Sequence, residues 1–176
     1  MAVVYIDTKD IKNAVLNVRA GDEVYLSGTV YTARDAAHKR IKALMEKGEK
    51  LPFDLDGAVV YYAGPTPERP GMPIGSCGPT TSSRMDVFTP DLLDNGLCAI
   101  IGKGPRNSAV SEAIMRNKAV YFCAIGGAGA LAALSVKKLE VIAFEDLGCE
   151  SVKKLEVENF PLLCAIDCYG NNIFNK

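Results

Sequence analysis

Apolar and polar residues alternate along Glu23–Val30, with β-branched residues among them, and this period of two predicts a β-strand. Ahead of it, Asp10 to Val18 reads as a short helix that ends in the turn Arg19–Asp22. Behind it, Thr32-Ala-Arg-Asp35 is a variant of the capping box, predicting a helix that runs to Lys47 and stops at Gly48. The run Gly57–Ala63 is apolar and aromatic, as expected of a buried strand, and it empties into a Pro/Gly-rich stretch from Gly64 to Pro79. That stretch predicts no element of its own. A loop of such length inside a compact domain is usually functional or mobile.

The second half repeats the alternation of strand and helix. Pro90 to Asp94 reads as a one-turn helix, with Thr89 as its cap and Gly96 beyond its end. Leu97–Ile101 is a strand that enters Gly102-Lys-Gly-Pro105, and Asn107 or Ser108 caps a helix to Lys118. A strand follows over Ala119–Ile125, then a helix opened by Gly126-Gly-Ala-Gly-Ala-Leu131, then a strand over Leu139–Phe144. The tail from Leu155 to Ile173 reads as strands around Asn159-Phe-Pro161 and the turn Tyr169–Asn172. Residues 1–176 are therefore expected to form one α/β domain, with parallel pairs in its second half, a mixed sheet and flanking helices.

Composition narrows the function classes. Apolar residues make up 48% and charged residues 23%, ordinary for a globular domain. A net charge of −1 gives no electrostatic basis for binding nucleic acid. No apolar run approaches the roughly 20 residues of a membrane helix. The start Met-Ala-Val-Val-Tyr-Ile-Asp lacks the basic and apolar regions of a signal peptide, which points to the cytoplasm. Six cysteines lie far apart, most of them inside apolar runs where they act as small hydrophobes. No metal site made wholly by this chain is expected from that spacing, and no disulfide in a reducing compartment.

Candidate chemistry concentrates in Gly75-Ser-Cys-Gly-Pro-Thr-Thr-Ser-Ser-Arg-Met-Asp86. Gly and Pro fix the backbone path, the hydroxyl run suits a helix start, and Arg84 offers a planar fork for carboxylates. In open α/β sheets ligands collect beyond the carboxyl ends of strands. Thr32-Ala-Arg34, Gly64-Pro-Thr66, Gly102-Lys-Gly104 and Gly126-Gly-Ala-Gly129 all sit at such exits. Arg34, Arg84 and Lys103 would together supply three positive charges, suited to a small dicarboxylate. Arg34 opens a helix, where a cation opposes the dipole, and His38 lies one turn further on. The glycines at 126–129 match neither Gly-x-Gly-x-x-Gly nor the P-loop, and close helix–strand packing explains them.

The string Gly-Pro-Thr-Thr-Ser-x-Arg-Met, with Thr32-Ala-Arg-Asp-Ala-Ala-His38, Tyr62-Ala-Gly-Pro65, Ile101-Gly-Lys-Gly104 and Ile166-Asp-Cys-Tyr-Gly170, resembles the class I iron–sulfur hydro-lyases, the fumarases and tartrate dehydratases. The resemblance spans nearly the whole chain and implies a swivelling β/β/α-type domain. It implies a partner α subunit carrying a 4Fe–4S cluster on three cysteines, one iron left open as a Lewis acid, and no metal in this chain. Because Met1 stands directly at the domain, the chain is similar to the β subunit of the two-subunit form, a hetero-oligomer inactive alone. The reaction implied is reversible loss of water from a 2-hydroxy dicarboxylate, malate to fumarate or else tartrate to oxaloacetate. Residue by residue, the resemblance makes Thr80 the base and gives substrate carboxylates to Arg34, Thr81, Arg84 and Lys103. Asp86, His38 or a group of the other subunit would relay the proton. A stand-alone anion- or nucleotide-binding domain is the alternative from another class.

Overall fold

A computed structural model describes residues 1–124 and 129–175, the side chain of Leu131 excepted. Its strands are β1 (Val3–Asp7), β2 (Glu23–Thr32), β3 (Val59–Tyr61), β4 (Ala99–Gly102), β5 (Val120–Cys123), β6 (Val136–Ala143) and β7 (Val152–Ile166). Its helices are α1 (Ile11–Ala14), α2 (Asp35–Glu46), α3 (Thr89–Asp94), α4 (Ser108–Arg116) and α5 (Gly129–Leu134). The strands form one mixed sheet in the order β1-β2-β3-β4-β5-β7-β6. Because β7 also pairs with β2, the strands β2, β3, β4, β5 and β7 close into a barrel-like circuit.

Strands β1 to β5 run parallel to one another, whereas β7 is antiparallel to β2, β5 and β6. Parallel pairing therefore begins at the first strand and is not confined to the second half. The sequence pattern predicts no strand at β1, because only Ile6 within it is buried and its apolar pattern is faint. The tail is one strand of 15 residues rather than several. Asn159, at φ 49°, lies where the register against β2 slips, and that kink looks like a strand break in sequence.

Period-two alternation divides the core into two layers. Val59, Tyr61, Ala99, Ile101, Val120 and Phe122 point into the same cluster as Val24, Leu26 and Leu155. Their neighbours Val60, Tyr62, Ile100 and Tyr121 point the other way, against Ala37 and Ile41 of α2, Leu93 of α3 and Ile114 of α4. Burial on both faces is why these strands read as continuous apolar runs.

Two caps differ from expectation. Thr32 still belongs to β2, where its Oγ1 accepts a bond from the Lys153 N–H at 3.2 Å. Helix α2 begins at Asp35, with Arg34 at its cap position and no side-chain cap. Thr89 lies inside α3 and donates backwards to the Met85 carbonyl at 2.8 Å, so it does not cap that helix. Asn107 does cap α4, accepting from the Val110 N–H at 2.9 Å, and Gly48 ends α2 at φ +68°. Among the described residues no helix is long and apolar enough to cross a membrane.

Candidate active site

The ladder of β2, β3 and β4 continues one residue past each strand end. Ala33 N–H donates to the Tyr61 carbonyl at 3.1 Å, and Tyr62 N–H to the Ile101 carbonyl at 2.9 Å. These in-register exits place Arg34 just beyond β2 and Lys103 just beyond β4, two strand spacings apart, or about 10 Å. The Gly75–Asp86 loop returns across the same end. Thr80 N–H donates to the Tyr62 carbonyl at 2.8 Å, and Thr81 forms an isolated parallel bridge with Lys103. Ser82 fastens the contact twice: its N–H donates to the Lys103 carbonyl at 3.0 Å, and its Oγ accepts from the Lys103 N–H at 2.9 Å. Gly102 permits this approach, because a Cβ there would overlap the Ser82 hydroxyl and meet Tyr62 Cδ2 at 3.0 Å.

The hydroxyl run does not open a long helix. A four-residue 3₁₀ turn, Ser82–Met85, follows it, and Thr81 makes no side-chain cap. The signature turn therefore brings no long helix dipole of its own to this face, and its positive charge lies on side chains. Arg84 Nη2 donates to Thr80 Oγ1 at 2.9 Å, and its Nε pairs with Asp35 at 3.2 Å. Three guanidinium N–H groups remain after those two bonds. Asp35 follows Arg34 directly, so the first turn of α2 and the signature turn are tied together. Arg34 is half-buried against Gly64, where an added Cβ would come within 3.2 Å of its Cδ and Nη1. Its Nε is buried without a hydrogen-bond partner. Lys103 is exposed, and among the described residues no carboxylate forms a salt bridge with it.

The two relay candidates within the chain are both buried. Asp86 is buried, one oxygen accepting from Arg106 Nε at 2.6 Å and the other from the Asn107 N–H at 2.9 Å. Both oxygens are committed to holding the turn. His38 is buried, its Nδ1 at 2.8 Å from the Arg34 carbonyl and its ring against those of Tyr62 and Phe88. Burial pushes its pKa down from 6.5 to about 4, so the imidazole is neutral near pH 7. Cys77 is a packed loop residue: burial pushes its thiol up to about 12, and the Tyr61 hydroxyl donates to its carbonyl at 2.6 Å.

Sequence reasoning missed Arg106. It is fully buried, and its guanidinium bonds Asp86, Thr89 and Tyr62 while lying 5.2 Å and 4.9 Å from the ring centres of Tyr62 and Tyr121. The available signal was an arginine just before the cap of α4, where a cation opposes the dipole, as at Arg34. Of the glycine run, residues 126–128 lie outside the described residues. Gly129 packs on the signature loop, where a Cβ would overlap the Ser76 hydroxyl and meet Gly78 N at 3.0 Å.

The cationic face is open. Surface concavities of about 630, 740 and 620 Å³ are lined by other residues. Among the described residues no three His, Cys, Asp or Glu side chains group as a metal site. An arginine-and-hydroxyl face of this kind can orient an anionic substrate, yet offers no thiolate set for a cluster.

Residues 1–176 match the family described as the fumarase C-terminus. The chain belongs to that family. It is 39% identical over 178 residues to the putative L(+)-tartrate dehydratase subunit beta of Methanocaldococcus jannaschii, covering 98% of this chain and 91% of that protein. It is 35% identical to the L(+)-tartrate dehydratase subunit beta of Escherichia coli, covering 89% and 79%. Fumarate hydratase 1, mitochondrial, of Leishmania major is 42% identical over 154 residues, covering 86% of this chain. The chain spans only 28% and 31% of the lengths of that protein and of fumarate hydratase 2 from the same organism. In this fumarase C-terminus domain, the signature turn and the three strand exits thus form one surface.

Proposed function

We propose that this chain is the β subunit of a two-subunit iron–sulfur hydro-lyase that reversibly dehydrates a 2-hydroxy dicarboxylate, malate to fumarate. One observation carries the reading: Arg34, Lys103 and the Thr80–Arg84 pair occupy adjacent parallel strand exits on an open face, where the described residues group no ligand set for metal. An open cationic face suits half of a shared site. The relatives matched along most of their length are themselves named beta subunits, which supports an α subunit as partner. We place the 4Fe–4S cluster on that partner, and we read the barrel-like domain as the swivelling β/β/α type.

In this reading Arg34, Arg84, Lys103 and Thr81 bind and orient the two substrate carboxylates. Thr80 takes the proton from the carbon beside the one that loses its hydroxyl. A threonine hydroxyl is a very weak acid, so its alkoxide needs cationic support. Arg84 supplies it, already donating to Thr80 Oγ1 at 2.9 Å. The hydroxyl's own proton must then leave. Asp86 has both oxygens committed and His38 is walled by aromatic rings, so a group of the partner subunit receives it.

L-tartrate is the second reading, favoured by the names of the length-matched relatives. Mixing this chain anaerobically with a cluster-bearing α subunit, and assaying malate and L-tartrate in parallel, tests both. Turnover of either dicarboxylate only by the mixture is the expected result. Turnover of neither, by a mixture shown to associate, would refute the proposal.

A further inference from the structure

We infer that Arg106 is a positioning residue that holds the Thr80–Arg84 pair in register, an inference that rests on the hydro-lyase reading for its catalytic consequence. The signature loop has little structure of its own: between β3 and α3 the described backbone holds a single four-residue 3₁₀ turn. Its geometry therefore depends on what lies beneath it. Arg106 is the centre of that support, with its side chain wholly buried.

Each nitrogen contact fixes a different part of the loop. Nε donates to Asp86 at 2.6 Å, the last residue of the signature. Nη2 donates to Thr89 Oγ1 at 2.8 Å and to the Tyr62 hydroxyl at 3.2 Å. Thr89 spends its proton on the Met85 carbonyl, so Tyr62 donates to Thr89, 2.9 Å away, and the three groups form a closed ring of bonds. The Tyr62 carbonyl in turn receives the Thr80 N–H. The second ring beside the guanidinium is that of Tyr121, whose hydroxyl lies 2.8 Å from both Ser82 Oγ, which bonds Lys103, and the carbonyl of Gly104, which follows it. Arg106 thus braces the turn at residues 62, 86 and 89 directly, and at 80 and 82 through the two tyrosines. Asp86 is bonded through Nε alone while Nη2 reaches Thr89 and Tyr62, a division of donors that a single lysine ammonium cannot reproduce.

The test is Arg106→Lys, which keeps the charge opposite Asp86, with Tyr62→Phe as a milder second variant that removes the hydroxyl accepting from Arg106 and donating to Thr89. The isolated chain is labelled with carbon-13 on threonine methyls, and the reconstituted complex is assayed per folded chain. Arg106→Lys should shift or broaden the Thr80 and Thr81 methyl signals while Thr8 and Thr29 stay in place. Its kcat should fall on the order of 100-fold, as expected of a catalytic group displaced by about an ångström, with KM within about threefold of wild type. Tyr62→Phe should move the same two signals less and lower kcat about tenfold. A purely structural role would lower the unfolding midpoint but leave kcat per folded chain unchanged, and that outcome, or unmoved Thr80 and Thr81 methyls, overturns the inference. Should the wild-type complex turn over no dicarboxylate, the hydro-lyase reading falls, and the methyl spectra alone decide whether Arg106 positions the turn.

Discussion

His38 offers a pH prediction that can be read from one residue. Burial is the main cause of its depressed pKa, about 4 against an ordinary 6.5, and the bond to the Arg34 carbonyl only partly opposes it. The folded chain therefore holds the imidazole neutral, while the unfolded chain takes up a proton below pH 6.5. Stability from this source is complete above pH 6.5 and is lost progressively as pH falls toward 4. The gap between the two values corresponds to about 3 kcal/mol. Carboxylates act lower on the scale. The Asp22 carboxylate, held down by the N–H groups of Arg19 and Ala2, and Asp94, held down by Asn117 and Arg116, destabilise the fold only at pH below about 3.8. Urea denaturation of wild type and His38→Asn at several pH values between 7.5 and 4.5 separates the two sources. Asparagine keeps a donor near the Nδ1 position without titrating. The stability lost by wild type over that range should exceed the loss in the variant by about 2–3 kcal/mol. His38 is the chain's single histidine, so its imidazole resonances in NMR are unambiguous. Parallel denaturation curves, or an imidazole that titrates near 6.5, would refute the reasoning.

Arg84→Lys should lower kcat/KM of the reconstituted complex on the order of 10–100-fold, because a point charge cannot bond Thr80 and Asp35 while presenting a fork to substrate; retention of wild-type kcat/KM would contradict this. Thr80→Ser should keep more turnover than Thr80→Val, and equal rates for the two would reject the hydroxyl as the proton acceptor. Gly102→Ala should lower the unfolding free energy by about 1–3 kcal/mol, since the new methyl group overlaps the Ser82 hydroxyl beside Tyr62. An unchanged urea midpoint would show that the loop yields at no cost.

The legible parts of this fold were those written in local chemistry. Asn107 announces α4 because an Asx cap acts within three residues, and the runs around Val60, Ile100 and Tyr121 announce strands because both faces are buried. What escaped depends on distant partners. Thr32 looked like a cap, but Lys153, 121 residues away, holds it in β2. The closing of β7 onto β2 leaves no mark in either segment. The nearness of Arg34, Thr80, Arg84 and Lys103 was legible because strand exits and the signature string fix their positions. Arg106 was not, since its worth lies in Asp86, Thr89 and two tyrosines that come together only in three dimensions.

A crystal structure of the α–β complex with a dicarboxylate bound tests the central claim most directly. The account predicts that guanidinium groups of Arg34 and Arg84 and the ammonium of Lys103 bond the two carboxylates, with Thr80 Oγ1 against the carbon that loses its proton. A substrate whose carboxylates are held only by the partner subunit, with this face turned away to solvent, would contradict it.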